Sequence, residues 1–358
     1  MSEVLGRPGK GHPLGAGLED GPAQRGEAER SRYPTGWFCI GWTDAFAAGE
    51  VKTVHYFGRD IVVFRGESGT PWALDPHCLH MGAHLGVGGK VSGDCIVCPF
   101  HGWRWNGDGS HALVPYSREQ HRPELRLGAW PLREWCGMLL LWFDRHRRTP
   151  HWEPPAVPEA DDPAFYPLHP HSRMLNRVKV HPQLIIENAA DAYHIPPVHH
   201  GAAPRTTSFH VEGHRLHATI ETVYGAGKGG TWLTPDGPVK AHITYDTYGL
   251  GIGFVRFPSE AFDTVQITSH TPVDEAYTDY WFMQTSRREP GDAGDAPSGH
   301  AKRFLELQQL TVRQDFFIWE NMKYMERPNF TPEEAADYQA LRSWAAGLYP
   351  TDEPPAPR

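Results

Sequence analysis

Apolar residues in this chain fall first into short, strand-like runs and only later into a long helical pattern. Order is expected to begin near Tyr33, with the segment GWFCIGWTDAF. From Val51 to Asp144 the pattern is β-like. Ile61 to Arg65 and Trp72 to Asp75 are short runs separated by Gly66-Glu67-Ser68-Gly69, which reads as a hairpin. Met138 to Phe143 (MLLLWF) is a further apolar run of strand length. Residues 145–163 are rich in Pro and Arg and mark a boundary. Beyond it, residues 184–195 (LIIENAADAYHI) read as a helix that Pro196 and Pro197 stop. Strands are expected at 215–224, 242–256, 264–271 and 277–286, with Gly-rich loops at 225–238 and 289–299. His300 to Met325 is the strongest helix, with Phe304, Leu307, Leu310, Ile318 and Met322 at helical spacing. There is no internal repeat.

A length of 358 residues with 13 Trp and 16 Phe is enough for two domains or one large one, with a substantial core. The formal net charge of −9 argues against nucleic acid or an anionic membrane as the main partner. No segment reaches the roughly 18 apolar residues that a membrane span needs. Residues 1–32 are rich in Gly and charge and lack an apolar stretch, so they read as a disordered tail rather than a signal peptide. Residues 350–358 read as a second tail. Five cysteines are too sparse for a disulfide scaffold. Cys39 and Cys136 read as small buried hydrophobes. Cys78, Cys95 and Cys98 lie within 21 residues of each other, two of them beside histidines, which points to metal in a reducing compartment, hence a cytoplasmic protein.

The strongest chemical signal is Cys78-Leu79-His80, then seventeen residues, then Cys98-Pro99-Phe100-His101. Two thiolates and two imidazoles on two short loops suit a [2Fe–2S] centre with Cys on one iron and His on the other. Gly82, Gly86, Gly88, Gly89 and Gly102 allow tight turns there, and Trp103 and Trp105 could shield the cluster from water. A structural zinc site built on Cys95-x2-Cys98 competes with this reading, although Cys-x-His is an unusual opening for one. A second constellation runs Asn188-x2-Asp191-x2-His194-x4-His199. Asp191 and His194, three apart, would share a helix face, and His199 would fold back beyond the prolines. Two imidazoles and one carboxylate form the facial triad of non-haem Fe(II) oxygenases. The best carboxylate is Asp315, in RQDFFIWEN, whose apolar company calls for a compensating partner such as a metal. The alternatives are Asp315 on the solvent face near Arg313, Glu320 in its place, and His200 for His199. His169, His171, His181, His210, His214 and His217 read as surface or core residues.

The stretch CLHMGAHLGVGGKVSGDCIVCPFHGWRW resembles the Rieske domain signature, with Gly82, Leu85, Pro99, Gly102 and Trp103 in register and Cys95 a bystander. Residues 188–199 with Asp315 resemble the catalytic domain of Rieske non-haem iron oxygenases. GWFCIGWTDAF, VVFRGESGTPWALDPHCLHMGAHL and DFFIWENMKYMERPNFTPEE are similar to the 3-ketosteroid 9α-hydroxylase and cholesterol desaturase branch. The resemblance implies an α+β protein. It has an all-β Rieske domain over 33–148 and an antiparallel-sheet-and-helix catalytic domain of helix-grip type over 165–349. It implies that Cys78, His80, Cys98 and His101 hold the cluster, that His194, His199 and Asp315 hold the iron, and that Asp191 bridges an iron-bound His to a Rieske His of a neighbouring subunit.

Activating O2 takes two electrons beyond those from substrate, and NADH delivers electrons in pairs. The chain has neither a dinucleotide fingerprint nor a plant-type four-Cys run, so a separate flavin reductase, perhaps with a ferredoxin, is implied. The family assembles as rings of identical subunits, most often trimers. The expected activity is hydroxylation of a bulky alicyclic, steroid-like substrate by a terminal monooxygenase. The walls of its site would come from Tyr224, Trp232, Tyr245, Tyr248, Phe254 and Phe257, which also read as ordinary core, while Lys228, Lys240 and Arg256 are scattered singly. Tailoring or aromatic-compound oxygenases are the alternative, and a Rieske electron carrier without a second iron is a third reading.

Overall fold

A computed structural model describes residues 33–168, 172–225, 237–258 and 263–350. Both tails, His169, His171, Lys228 and Trp232 lie outside the described residues.

The first half is built of strands. β1 (Gly36–Trp42), β2 (Val51–Tyr56), β3 (Arg59–Arg65) and β4 (Pro71–Leu74) lead to four short strands. These are β5 (Lys90–Ser92), β6 (Cys95–Val97), β7 (Arg104–Asn106) and β8 (His111–Leu113). β9 (Ala129–Trp130), β10 (Leu132–Trp135) and β11 (Met138–Phe143) complete it. The sheet orders are β1-β11-β10, β2-β3-β4-β9 and β5-β6-β7-β8. The Gly66–Gly69 segment closes the β3–β4 hairpin as its composition predicts. β11 is buried along its whole length, which accounts for its unbroken apolar run.

After the short α1 (Pro158–Asp161) and β12 (Met174–Val178), the second half opens with two short helices, α2 (Pro182–Glu187) and α3 (Ile195–His199). A seven-stranded antiparallel sheet follows. Its further strands are β13 (Ala202–Glu212), β14 (Arg215–Tyr224), β15 (Val239–Tyr248), β16 (Ile252–Phe257), β17 (Thr264–Pro272) and β18 (Thr278–Ser286). The order is β12-β18-β17-β16-β15-β14-β13. The long α4 (Gly299–Trp319) and α5 (Ala335–Ala346) finish the fold. The α+β class and the all-β first half follow the sequence reading.

Three expectations are corrected. Residues 184–195 are not one helix. α2 ends in a 3-10 turn at Asn188–Ala190, and the Asp191 side chain accepts from the backbone N–H groups of Tyr193 (2.9 Å) and His194 (3.0 Å). An Asp side chain that captures local donors competes with helix continuation. Pro196 and Pro197 begin α3 instead of ending α2, since a first-turn proline lacks only an N–H that the helix would leave unpaired. Residues 242–256 fold into two strands joined at Gly249–Gly251. A Cβ on Gly251 would lie 2.1 Å from the carbonyl oxygen of Trp37, so the first half's backbone demands glycine there. Finally, α4 does not bury the forecast stripe. Leu305, Gln308, Val312, Asp315, Phe316 and Trp319 face inward, while Leu310, Ile318 and Met322 are exposed.

The two halves share one core. Trp37, Phe38, Leu139 and Leu141 pack with Ile252, Phe254, Ile267 and Trp281. Main-chain and side-chain bonds stitch this seam. Cys39 N–H donates to Ser269 Oγ at 2.9 Å, and Phe57 N–H donates to Pro272 O at 2.9 Å. Tyr56 donates its phenol to Asp279 at 3.0 Å.

Candidate functional site

Two loops of the first half repeat one device. In each, a cysteine N–H bonds across the loop, and its carbonyl accepts from a glycine four residues on. Cys78 N–H donates to Ala83 O and Gly82 N–H to Cys78 O; Cys98 N–H donates to Trp103 O and Gly102 N–H to Cys98 O. Both glycines have positive φ, +76° and +72°, a region that costs other residues dearly. The second loop is the tip between β6 and β7. The His80 and His101 rings lie 4.6 Å apart, and His80 stacks on Trp103 at 4.6 Å. Trp105, wholly buried, donates its indole N–H to Cys78 Sγ at 3.4 Å.

This cradle fits an iron–sulfur group. Both cysteines are buried, and burial pushes the Cys78 thiol up, with Cys98 beside it acting in the same direction. Thiols so placed ionise when positive charge stands between them. His101 Nδ1 is buried with no hydrogen-bond partner, an orphan that a metal would satisfy. Cys95 stays outside, its thiol on Asn106 Oδ1 at 3.2 Å. Cys39 is buried in the seam and Cys136 is half-buried. Leu79, Met81, Phe100 and Tyr116 form an exposed apolar collar on and beside the two loops.

The second site lies between helices and sheet. α3 carries His199 at its last position, His194 caps its start, and α4 delivers Asp315 from its buried face. Their ligand atoms all lie within 4.8 Å of one another. His199 Nε2 is 3.2 Å from Asp315 Oδ1, and its Nδ1 is 3.1 Å from Gln314 Oε1. Burial works against the His199 imidazolium, but the Asp315 carboxylate outweighs it and raises the pKa above the usual histidine range. His200 caps α3 in a left-handed conformation and is exposed, as are Arg313 and Glu320. Two imidazoles and a carboxylate this close together are a donor set that fits a divalent metal. Asp191 stands at its edge, its side chain 23% exposed, with its carbonyl oxygen 2.5 Å from His194 Nδ1.

A cavity of about 770 Å³, its solvent-filled mouth included, opens onto this triad. Of the forecast aromatic walls, Tyr224, Tyr245, Phe254 and Phe257 line it. Tyr248 lies at the seam against Phe254 instead. Burial raises the Tyr224 hydroxyl to about 12 and pushes Tyr245 higher, with the neighbouring acids adding, so both stay neutral. Sequence reading missed the floor: Gln266, Thr268 and His270 alternate along β17 and line the cavity, a period-two pattern that the polar Thr264, Ser269 and Thr271 of the same strand obscure. Lys240 pairs with Glu221, and Arg256 pairs with Glu159 and Asp246, so neither serves the cavity. His181 caps α2, His214 stacks on Trp152, and His217 bonds Asp246.

Comparison with known proteins agrees with this division. Residues 36–131 match the Rieske [2Fe-2S] domain, and residues 141–349 match the 3-ketosteroid 9alpha-hydroxylase C-terminal domain. A probable 3-ketosteroid-9-alpha-monooxygenase oxygenase component from Rhodococcus rhodochrous is 30% identical, over 89% of this chain and 80% of its own. A cholesterol 7-desaturase from Ciona intestinalis is also 30% identical, over 90% of this chain and 70% of its own. Among solved structures, apo dicamba monooxygenase superposes with a TM-score of 0.64 at 16% identity, covering 89% of this chain and 98% of that one.

Proposed function

The chain belongs to the Rieske oxygenases whose catalytic half is of the 3-ketosteroid 9α-hydroxylase type, and we propose that it hydroxylates a bulky alicyclic, steroid-like substrate. It is the oxygenase component of a Rieske non-haem iron monooxygenase. The observation that carries the substrate reading is an iron-type triad opening onto a neutral, largely apolar cavity with a narrow polar floor. Walls that carry no unpaired charge among the described residues suit an uncharged polycycle better than a small anion.

Cys78, His80, Cys98 and His101 would hold the [2Fe–2S] cluster, and His194, His199 and Asp315 the mononuclear iron. When bound, the cluster supplies single electrons and the iron supplies the positions at which O2 reacts. Trp105 steadies the Cys78 sulfur, and Trp103 fixes the plane of His80. Gln314 orients His199 from its second nitrogen. Tyr224, Tyr245, Phe254 and Phe257 exclude water and hold the substrate against the triad. Asp191 is assigned the bridge to a neighbouring subunit's Rieske histidine.

Electrons would come from NADH through a separate flavin reductase, with or without a ferredoxin. No helix among the described residues is long and apolar enough to cross a membrane, and the free thiols suit the reducing cytoplasm. Two exposed apolar surfaces support a head-to-tail ring, such as a trimer. One is the collar around the Rieske loops. The other is the outer side of α4 and the segment after it, with Leu310, Phe317 (76% exposed), Ile318, Met322 and Met325. The proposed domains are 33–148 and 165–349.

The test is turnover of 3-ketosteroids and 3-hydroxysterols with a surrogate reductase, NADH and 18O2. A product carrying one labelled oxygen supports hydroxylation. A product that has lost two hydrogens without label would place the chain with the desaturases. Turnover confined to small aromatics would overturn the substrate reading.

A further inference from the structure

The C-terminal helix is clamped to the segment that carries Asp191. Arg342, on α5, donates Nη2 to Glu187 Oε2 at 2.9 Å, and both side chains are largely buried. Arg342 is held in turn by the carbonyl of Met325 at 2.6 Å and by the rings of Tyr324 and Phe330. Glu187 also accepts from Gln183 Nε2 at 3.0 Å. Tyr338 is four residues before Arg342, one turn away on the same face of α5. Asp191 follows Glu187 across the 3-10 turn Asn188–Ala190. The Arg342–Glu187 pair anchors α5 beside that turn. The Tyr338 ring stacks on Phe330 at 4.4 Å and packs against the cluster of Ile186, Ala189 and Ala190.

We infer that Tyr338 is a positioning residue for the Asp191 bridge, its phenol O–H holding the carboxylate in place while the remaining lone pairs face outward. The inference rests on the bridging role given to Asp191. Backbone N–H groups of Tyr193 and His194 occupy Oδ1, which fixes one edge of the carboxylate. Burial and the Asp191 charge both push the Tyr338 hydroxyl well above the usual tyrosine range, so it remains a donor at any working pH. The other charged groups about this pair are Glu187, paired with Arg342; Glu334, which bonds the N–H of Thr331; Asp337, whose carboxyl is pushed up by burial; and the His194 ring, with Nδ1 3.7 Å from Asp191 Oδ2. A neutral donor on an anionic relay steadies its orientation without neutralising it.

Tyr338→Phe keeps the ring and its stack on Phe330 and removes one hydroxyl. Both metal centres should load normally, and the substrate KM should stay unchanged. Single-turnover reoxidation of the reduced cluster, with substrate and O2 present, should slow by between about ten- and a hundredfold. A second readout needs no catalysis: in urea unfolding, Tyr338→Phe and Asp191→Asn should be non-additive, the first costing less in the background of the second. Native reoxidation in Tyr338→Phe beside slow reoxidation in Asp191→Asn would overturn this inference alone. Native reoxidation in Asp191→Asn would overturn the bridge reading itself, and additive unfolding would show that the two side chains do not interact.

Discussion

Asp279 lies on the seam between the halves, 2% exposed, and its removal should be felt by both. Its carboxylate accepts the Tyr56 phenol at 3.0 Å and Arg177 Nε and Nη2 at 2.8 and 3.0 Å. The Arg177 side chain is 56% exposed, so that ion pair is screened and contributes no more than about 1 kcal/mol. Tyr56 is 6% exposed, and a buried phenol stripped of its acceptor costs about 1–3 kcal/mol. Asp279→Ala should therefore destabilise the protein by about 1–4 kcal/mol. Adding Tyr56→Phe removes the stranded donor, so the double variant should cost less than the sum of the singles. Urea unfolding followed by tryptophan fluorescence and by the visible absorption of the cluster measures this, and the two probes should move together because the core is shared. An Asp279→Ala variant within about 0.5 kcal/mol of the parent, or strict additivity in the double, would refute the reasoning.

Asp315→Ala and His194→Ala should each abolish turnover and iron binding at the triad while leaving the Rieske absorption intact, as metal analysis and visible spectra will show. Cys78→Ala should abolish the cluster's colour and EPR signal, and His101→Cys should shift them; a colourless zinc protein from iron-replete anaerobic cells would contradict the assignment. His270 is fully buried, and its pKa falls from 6.5 to about 3. The unfolded chain therefore binds a proton that the folded chain refuses, and stability is lost as pH drops below 6.5 toward about 3. His270→Gln should flatten that slope, sparing about 2 kcal/mol between pH 6.5 and about pH 5 in urea midpoints.

The chemistry was legible where it is local. Cys78, His80, Cys98 and His101 announce themselves by spacing within two tight turns, and His194 and His199 lie five residues apart. Asp315 was legible through its sequence neighbours Phe316, Phe317 and Trp319, since a carboxylate in apolar company needs a partner, although Phe317 itself faces outward. The local path from Asp191 to His194 was not, because side-chain capture of two N–H groups beats helix propensity and leaves no periodic trace. β13 was missed because its burial alternates between half-buried and exposed, with no apolar face to see. The inward face of α4 was misjudged because Gln308 and Asp315 point inward to Thr264 and His199, while apolar residues were left outside. Tyr338 reaches the cluster of Ala189 and Ala190 only through the packing of α5, which no local pattern encodes.

Each Cys–Gly turn is held by a pair of main-chain hydrogen bonds, so its shape does not depend on the side chains that lie between the cysteine and the glycine. Leu79, Met81 and Phe100 occupy those exposed positions and can be exchanged without moving the cysteines and histidines. The rim of this half is thus free to change with whatever it docks against, while the ligand cradle stays as it is.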